Sequence, residues 1–202
     1  MRSEMARFAC IQILNSQAAQ SINFAIGPYR ITGASYLKVA AALLTGDIAV
    51  DVNPSRLKPD QGAMYLPGEN EFVVRTAALT ATLVQRMTVV HESTHAAIDI
   101  QGFRYDDTWS DNEAAAYVAG ALYMYKTSLS SIWDGDTSID LMTRVEPWAT
   151  AFRIAASISS GNPNVPAKDA IDLRAKIKGS QPYKRLGMTF GTRLLSDGIR
   201  RR

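Results

Sequence analysis

Residues 89–95 read Val89-Val90-His91-Glu92-Ser93-Thr94-His95, and they hold both histidines of the 202-residue chain. Four positions along an α-helix is about one turn, so the two imidazoles leave the same face and can share one zinc ion. Glu92 is turned by about 100° from His91 and flanks such an ion. From there it can take a proton from a water whose pKa the metal has lowered. Two histidines placed at random would fall four apart, with Glu after the first, in roughly three chains per ten thousand, so the motif is read as chemistry. The plainer reading is a pair of core histidines, whose ring nitrogens would then need other partners. Val84, Met87, Val90, Thr94 and Ile98 keep the segment apolar enough for a buried helix.

A catalytic zinc ordinarily has three protein ligands and a water. The single cysteine, Cys10, excludes a thiolate cluster, and positions 98 and 101 are Ile and Gln, so no third histidine follows. The remaining ligand must be a carboxylate. Glu113 is the best placed, 18 residues after His95 on the next helical segment, where Ala114, Ala115 and Ala116 let two helices approach closely. The same residue closes a Ser110-x-x-Glu113 capping box, which is a competing role. Asp99 lies one turn after His95 as a candidate partner for an imidazole. Asp106, Asp107 and Asp111 are weaker ligand candidates.

The run from Val90 to Ala96, followed by Asn112-Glu113 on a second helix, resembles the gluzincin branch of zinc metallopeptidases, to which the thermolysin-like proteases and zinc aminopeptidases belong. The resemblance spans roughly residues 48–125. It implies Zn2+ held by His91, His95 and Glu113, with Glu92 as general base and proton shuttle in peptide hydrolysis. It also implies an edge strand that aligns substrate by strand addition, for which Glu71–Thr76 is the candidate. The larger gluzincins often carry Asp four residues after the third ligand; here that position is Tyr117. In size the chain looks more like the minimal metallopeptidase domains of bacterial and phage proteins, some of which act as toxins or effectors. Tyr117, Tyr123, Tyr125 and Arg144 are candidate oxyanion stabilisers beside the metal.

The elements that must position these residues read as follows. Ser16–Ala25 is a short helix ended by Gly27-Pro28, and Ser35–Thr45 is a helix stopped by Gly46. Ile48–Val52, Met64–Leu66 and Glu71–Thr76 are strands, the last two joined by a turn at Pro67–Asn70. Helices follow over Ala77–Gln101, Ser110–Ser131, Ser138–Ser160 with Pro147 kinking or dividing it, and Lys168–Lys178. This order predicts an α+β fold, a mostly helical minimal zincin-like domain with a small antiparallel sheet before the active-site helix.

The formal net charge of +3 is unevenly placed. From Arg174 to Arg202 there are nine basic residues and one acidic residue, whereas the first 173 residues have thirteen basic and eighteen acidic. We therefore expect a zincin-like domain over 1–173 and a basic C-terminal tail over 174–202, able to contact nucleic acid or another anionic partner. The alternative to an enzyme is a zinc-containing binding or regulatory protein with that tail. No stretch approaches the ~20 apolar residues of a membrane span, and the N-terminus lacks a signal-peptide pattern. The expected location is cytoplasmic, or outside the cell by export without a cleaved signal. No phosphate-binding glycine motif supports nucleotide chemistry.

Overall fold

The computed structural model describes residues 1–102, 108–128 and 144–180. Its architecture is α+β. Helix α1 (Arg2–Leu14) and the one-turn α2 (Gln17–Gln20) precede a hairpin of β1 (Asn23–Ile26) and β2 (Tyr29–Thr32). Then come α3 (Gly33–Thr45), β3 (Ala49–Val52), β4 (Ala63–Leu66) and β5 (Glu71–Val74). The rest is helical: α4 (Leu83–Gln101), α5 (Trp109–Ser128), α6 (Trp148–Ser159) and α7 (Ala167–Gly179).

The segment expected as one helix over Ser16–Ala25 is helical only to Gln20. Its apolar end pairs with Tyr29–Thr32 across Gly27, whose φ of +54° suits a turn. The alternating burial of Tyr29 and Ile31 against exposed Arg30 explains the hairpin once its partner is present.

The sheet before α4 is mixed rather than wholly antiparallel. Strands β4 and β5 form the expected antiparallel hairpin, turning through Asn70 at φ +49°. Strand β3 joins the other side of β5 in parallel, giving the order β3-β5-β4. The Glu71–Thr76 segment is therefore the centre of the sheet and not its edge; β4 is the edge on that side.

Helix α4 begins at Leu83, six residues later than its apolar pattern suggested. Thr82 and Gln85 form a capping box, with Thr82 Oγ1 accepting from Gln85 N at 3.1 Å and Gln85 Oε1 accepting from Thr82 N at 3.1 Å. A cap of this kind is worth about 1 kcal/mol and makes Thr82 the preferred start. Gly102, at φ +70°, ends the helix as expected.

Helix α4 runs through the middle of the molecule. Tyr36 of α3 is fully buried beside it. Thr94 Oγ1 donates to Val90 O, so the Tyr36 hydroxyl donates to Thr94 at 2.9 Å. Against the other side lies α5, whose Ala114, Ala115, Ala116, Ala119 and Ala121 are all buried. Small side chains there let the two helix axes come close, as their sequence suggested. Trp148 opens α6 directly after Pro147, so the proline stands at a helix start; residues 129–131 of the expected Ser110–Ser131 helix and 138–143 of the expected Ser138–Ser160 helix lie outside the described ones.

The boundary expected at residue 173 falls inside α7. Arg174 is on this helix and pairs with Asp111 of α5, and Leu173 and Ile177 are buried. Residues 181–202 of the basic segment lie outside the described residues. Among the described residues no helix is long and apolar enough to cross a membrane.

Candidate metal centre

Both histidines point from α4 toward α5, with ring centroids 5.0 Å apart. Glu113 of α5 lies between them. Its Oε2 is 3.5 Å from His91 Nε2 and its Oε1 is 3.7 Å from His95 Nε2. These three side chains form a group whose ligand atoms all lie within 4.8 Å of one another. Their side chains are only 11–13% exposed.

The spacing tests whether they fit an ion. Direct N–H···O bonds fall at about 2.7–3.2 Å, so both contacts are long for hydrogen bonds. Ligand atoms about 2.0–2.1 Å from a tetrahedral zinc stand roughly 3.3 Å apart, which is close to the observed separations. Two imidazoles and one carboxylate are also a ligand set that zinc accepts, with a fourth position left for water or substrate.

Glu113 reaches this place because it is not the helix cap. Thr108 starts α5 instead: its Oγ1 accepts from Asp111 N at 3.3 Å, and its carbonyl accepts from Asn112 N at 3.2 Å. The competing Ser110–Glu113 capping box does not form, and the first turn is closed two residues earlier. Asp111, a weaker ligand candidate, is taken up by Thr108 and Arg174. Asp106 and Asp107 lie outside the described residues.

The sequence reading did not single out Asn112. Its Oδ1 meets His95 Nδ1. An amide oxygen only accepts, so Nδ1 carries the proton and Nε2 keeps its lone pair on the Glu113 side. Asp99, expected beside an imidazole or solvent, is fully buried and accepts from the Tyr65 hydroxyl at 2.8 Å. No spacing rule marks Asn112; only the crossing of α4 and α5 brings it to the ring.

Glu92 is buried, and its Oε2 accepts from Tyr65 N of β4 at 2.9 Å. Burial pushes its carboxyl up to about 7. The His95 ring and the Tyr65 amide oppose the rise, and the Glu113 carboxylate adds to it. A divalent cation nearby favours the carboxylate and pulls the value down. Since Tyr65 N faces away from β5, strand alternation turns the Ala63 backbone the same way.

A cleft opens beside His91 and Glu92. Gly62 and Ala63 form one wall with Lys58, Asp60 and Gln61 of the preceding loop; Met87, Thr88, Tyr117 and Trp148 form the others. Arg75 holds the loop in place, its Nε donating to Gln61 O at 2.9 Å and its Nη2 to Lys58 O. Of the four candidate oxyanion stabilisers, Tyr117 lines this cleft. Tyr123 is packed in the core, Tyr125 is half-buried and Arg144 is exposed.

No family model, no curated protein and no solved structure matches this chain.

Proposed function

We propose that the chain is a zinc-dependent metallopeptidase of the gluzincin kind, with His91, His95 and Glu113 holding the ion. The observation that carries this reading is Glu113 standing 3.5 and 3.7 Å from the two Nε2 atoms, on a helix it does not cap. Zinc held there supplies a Lewis acid for the scissile carbonyl and acidifies a water.

The chain's own residues account for the rest of the reaction. Glu92, buried at the cleft beside His91, takes a proton from the attacking water and returns it to the leaving nitrogen. Its contact with Tyr65 N ties the base to the sheet edge. The outward backbone of β4 at Ala63 offers hydrogen bonds to an extended peptide, a role that central β5 cannot fill. Tyr117 is the side chain best placed to assist at the oxyanion.

The test begins with metal content. Purified protein should hold about one zinc, and a mixed peptide library should be cut only without chelator. Protein that binds no zinc overturns the reading. Zinc bound without cleavage assigns the site instead to a non-enzymatic binding protein.

A further inference from the structure

The two histidines stand one turn apart, yet their outer nitrogens meet different surroundings. His95 Nδ1 donates to Asn112. His91 Nδ1 is buried and meets no hydrogen-bond partner among the described residues. A metal-binding imidazole ordinarily gives its second N–H to a carboxylate, a carbonyl or a water, and that bond sets the ring's orientation.

Around His91 the neighbours are aromatic. The Tyr117 ring is 5.0 Å away at 89°, and the Trp148 ring is 6.0 Å away at 51°. Tyr117 and Trp148 pack on each other at 4.5 Å and 61°. Rings that meet edge to face prefer that angle, because the positive edge of one seeks the negative face of the other. Three helices supply the three rings, so none of them can turn without disturbing the other two.

Gly120 is the seat of this group. A Cβ at that position would lie 3.2 Å from both Trp148 Cη2 and Met87 Cγ, and 3.3 Å from Trp148 Cζ3. The indole is thus pressed onto bare backbone of α5, and a side chain there would force the indole or Met87 to give way.

We propose that Trp148 and Tyr117 are positioning residues that orient His91 by ring contacts, as Asn112 orients His95 by a hydrogen bond. The purpose of that orientation rests on the metal-centre reading, whereas the orientation itself belongs to the metal-free chain. The two imidazoles are consequently unequal on their Nδ1 sides: His95 meets an acceptor there, and His91 meets aromatic rings.

Nuclear magnetic resonance of the metal-free full chain tests this cleanly, because only two histidines contribute ring signals. The His91 ring protons should lie displaced from free-imidazole positions by the currents of the two neighbouring rings. Trp148→Ala should return them toward those positions while leaving the His95 signals in place, and Trp148→Phe should restore much of the displacement. Zinc affinity, read by chelator competition, should fall about tenfold in Trp148→Ala and recover in Trp148→Phe. A purely structural role would lower thermal stability without selecting one histidine. Should Trp148→Ala not fold, Gly120→Ala, which crowds the indole, gives the same two readouts. Wild-type His91 signals at free-imidazole positions, or signals and affinity unmoved in a folded variant, overturn the proposal. A chain that binds no zinc yet shows the expected displacement overturns the metal reading and leaves the positioning intact.

Discussion

The amide oxygen of Asn112 accepts the Nδ1 proton of His95, and this fixes the imidazole with Nε2 toward Glu113. Adjacent residues on α5 thus meet the two nitrogens of one ring. Replacing Asn112 with Leu removes the acceptor and leaves the N–H of the part-buried His95 ring unpaired. On the proposed zinc centre, affinity should drop by about 10–100-fold, the range for outer partners of metal-binding histidines. Asn112→Asp, which keeps an acceptor oxygen, should lose far less. Competition with a chromophoric chelator measures both, and equal affinities for wild type and Asn112→Leu would refute the assignment.

Glu113 and Glu92 should separate cleanly by what they lose. Glu113→Ala removes one of the three proposed ligands and should abolish stoichiometric zinc, whereas Glu92→Gln keeps all three and should retain it. Hydrolysis by Glu92→Gln should nevertheless fall about 10²–10⁴-fold, the usual contribution of a positioned proton acceptor. Metal analysis beside single-substrate kinetics distinguishes the two, and an active Glu92→Gln would remove the general base from the scheme.

Gly33 should tolerate no side chain. A Cβ there would lie 2.2 Å from Gln20 O and 2.8 Å from the carbonyl carbon, so the clash is with backbone that cannot swing away. Gly33→Ala should cost about 3 kcal/mol, at the upper end of overpacking costs. Thermal unfolding provides the measurement, and a melting temperature unchanged from wild type would contradict the close approach of α2 and α3.

Cys10 should be chemically silent in the folded chain. It is fully buried, and burial pushes its thiol up to about 12. At pH 8 a thiol-specific disulfide reagent should find no reactive thiol under native conditions and one in denaturant. The folded pKa is raised, so the thiol's contribution is complete below the unfolded value of 9.0 and is lost as pH rises toward 12. Rapid labelling of the native protein at pH 8 would show that α1 opens locally.

Much of the candidate site was legible because the residue inventory leaves few choices. With two histidines one turn apart and one cysteine elsewhere, a metal site needs a carboxylate, and Glu113 is the one that arrives. Stops at Gly46 and Gly102 were equally readable, since both take left-handed conformations that a glycine adopts without strain. The start of α4 was also written in Thr82-x-x-Gln85, although the apolar pattern drew the boundary to Ala77. Short strands were harder. Asn23–Ile26 has too few residues to show a period of two, and its burial pattern has meaning only beside Tyr29–Thr32.

The sequence alone determined the chemistry available: which atoms can bind a metal, which carboxylate flanks them, and that a helix presents them on one face. Only the tertiary structure decided who stands around them. That β5 lies between β3 and β4, that Thr108 caps α5 and frees Glu113, that Asn112 backs His95, and that Trp148 rests on Gly120 beside His91 all depend on elements crossing at a distance. Local spacing encodes a helix face through a fixed rotation per residue. It carries no term for the angle at which two helices meet, and that angle places the second ring of partners.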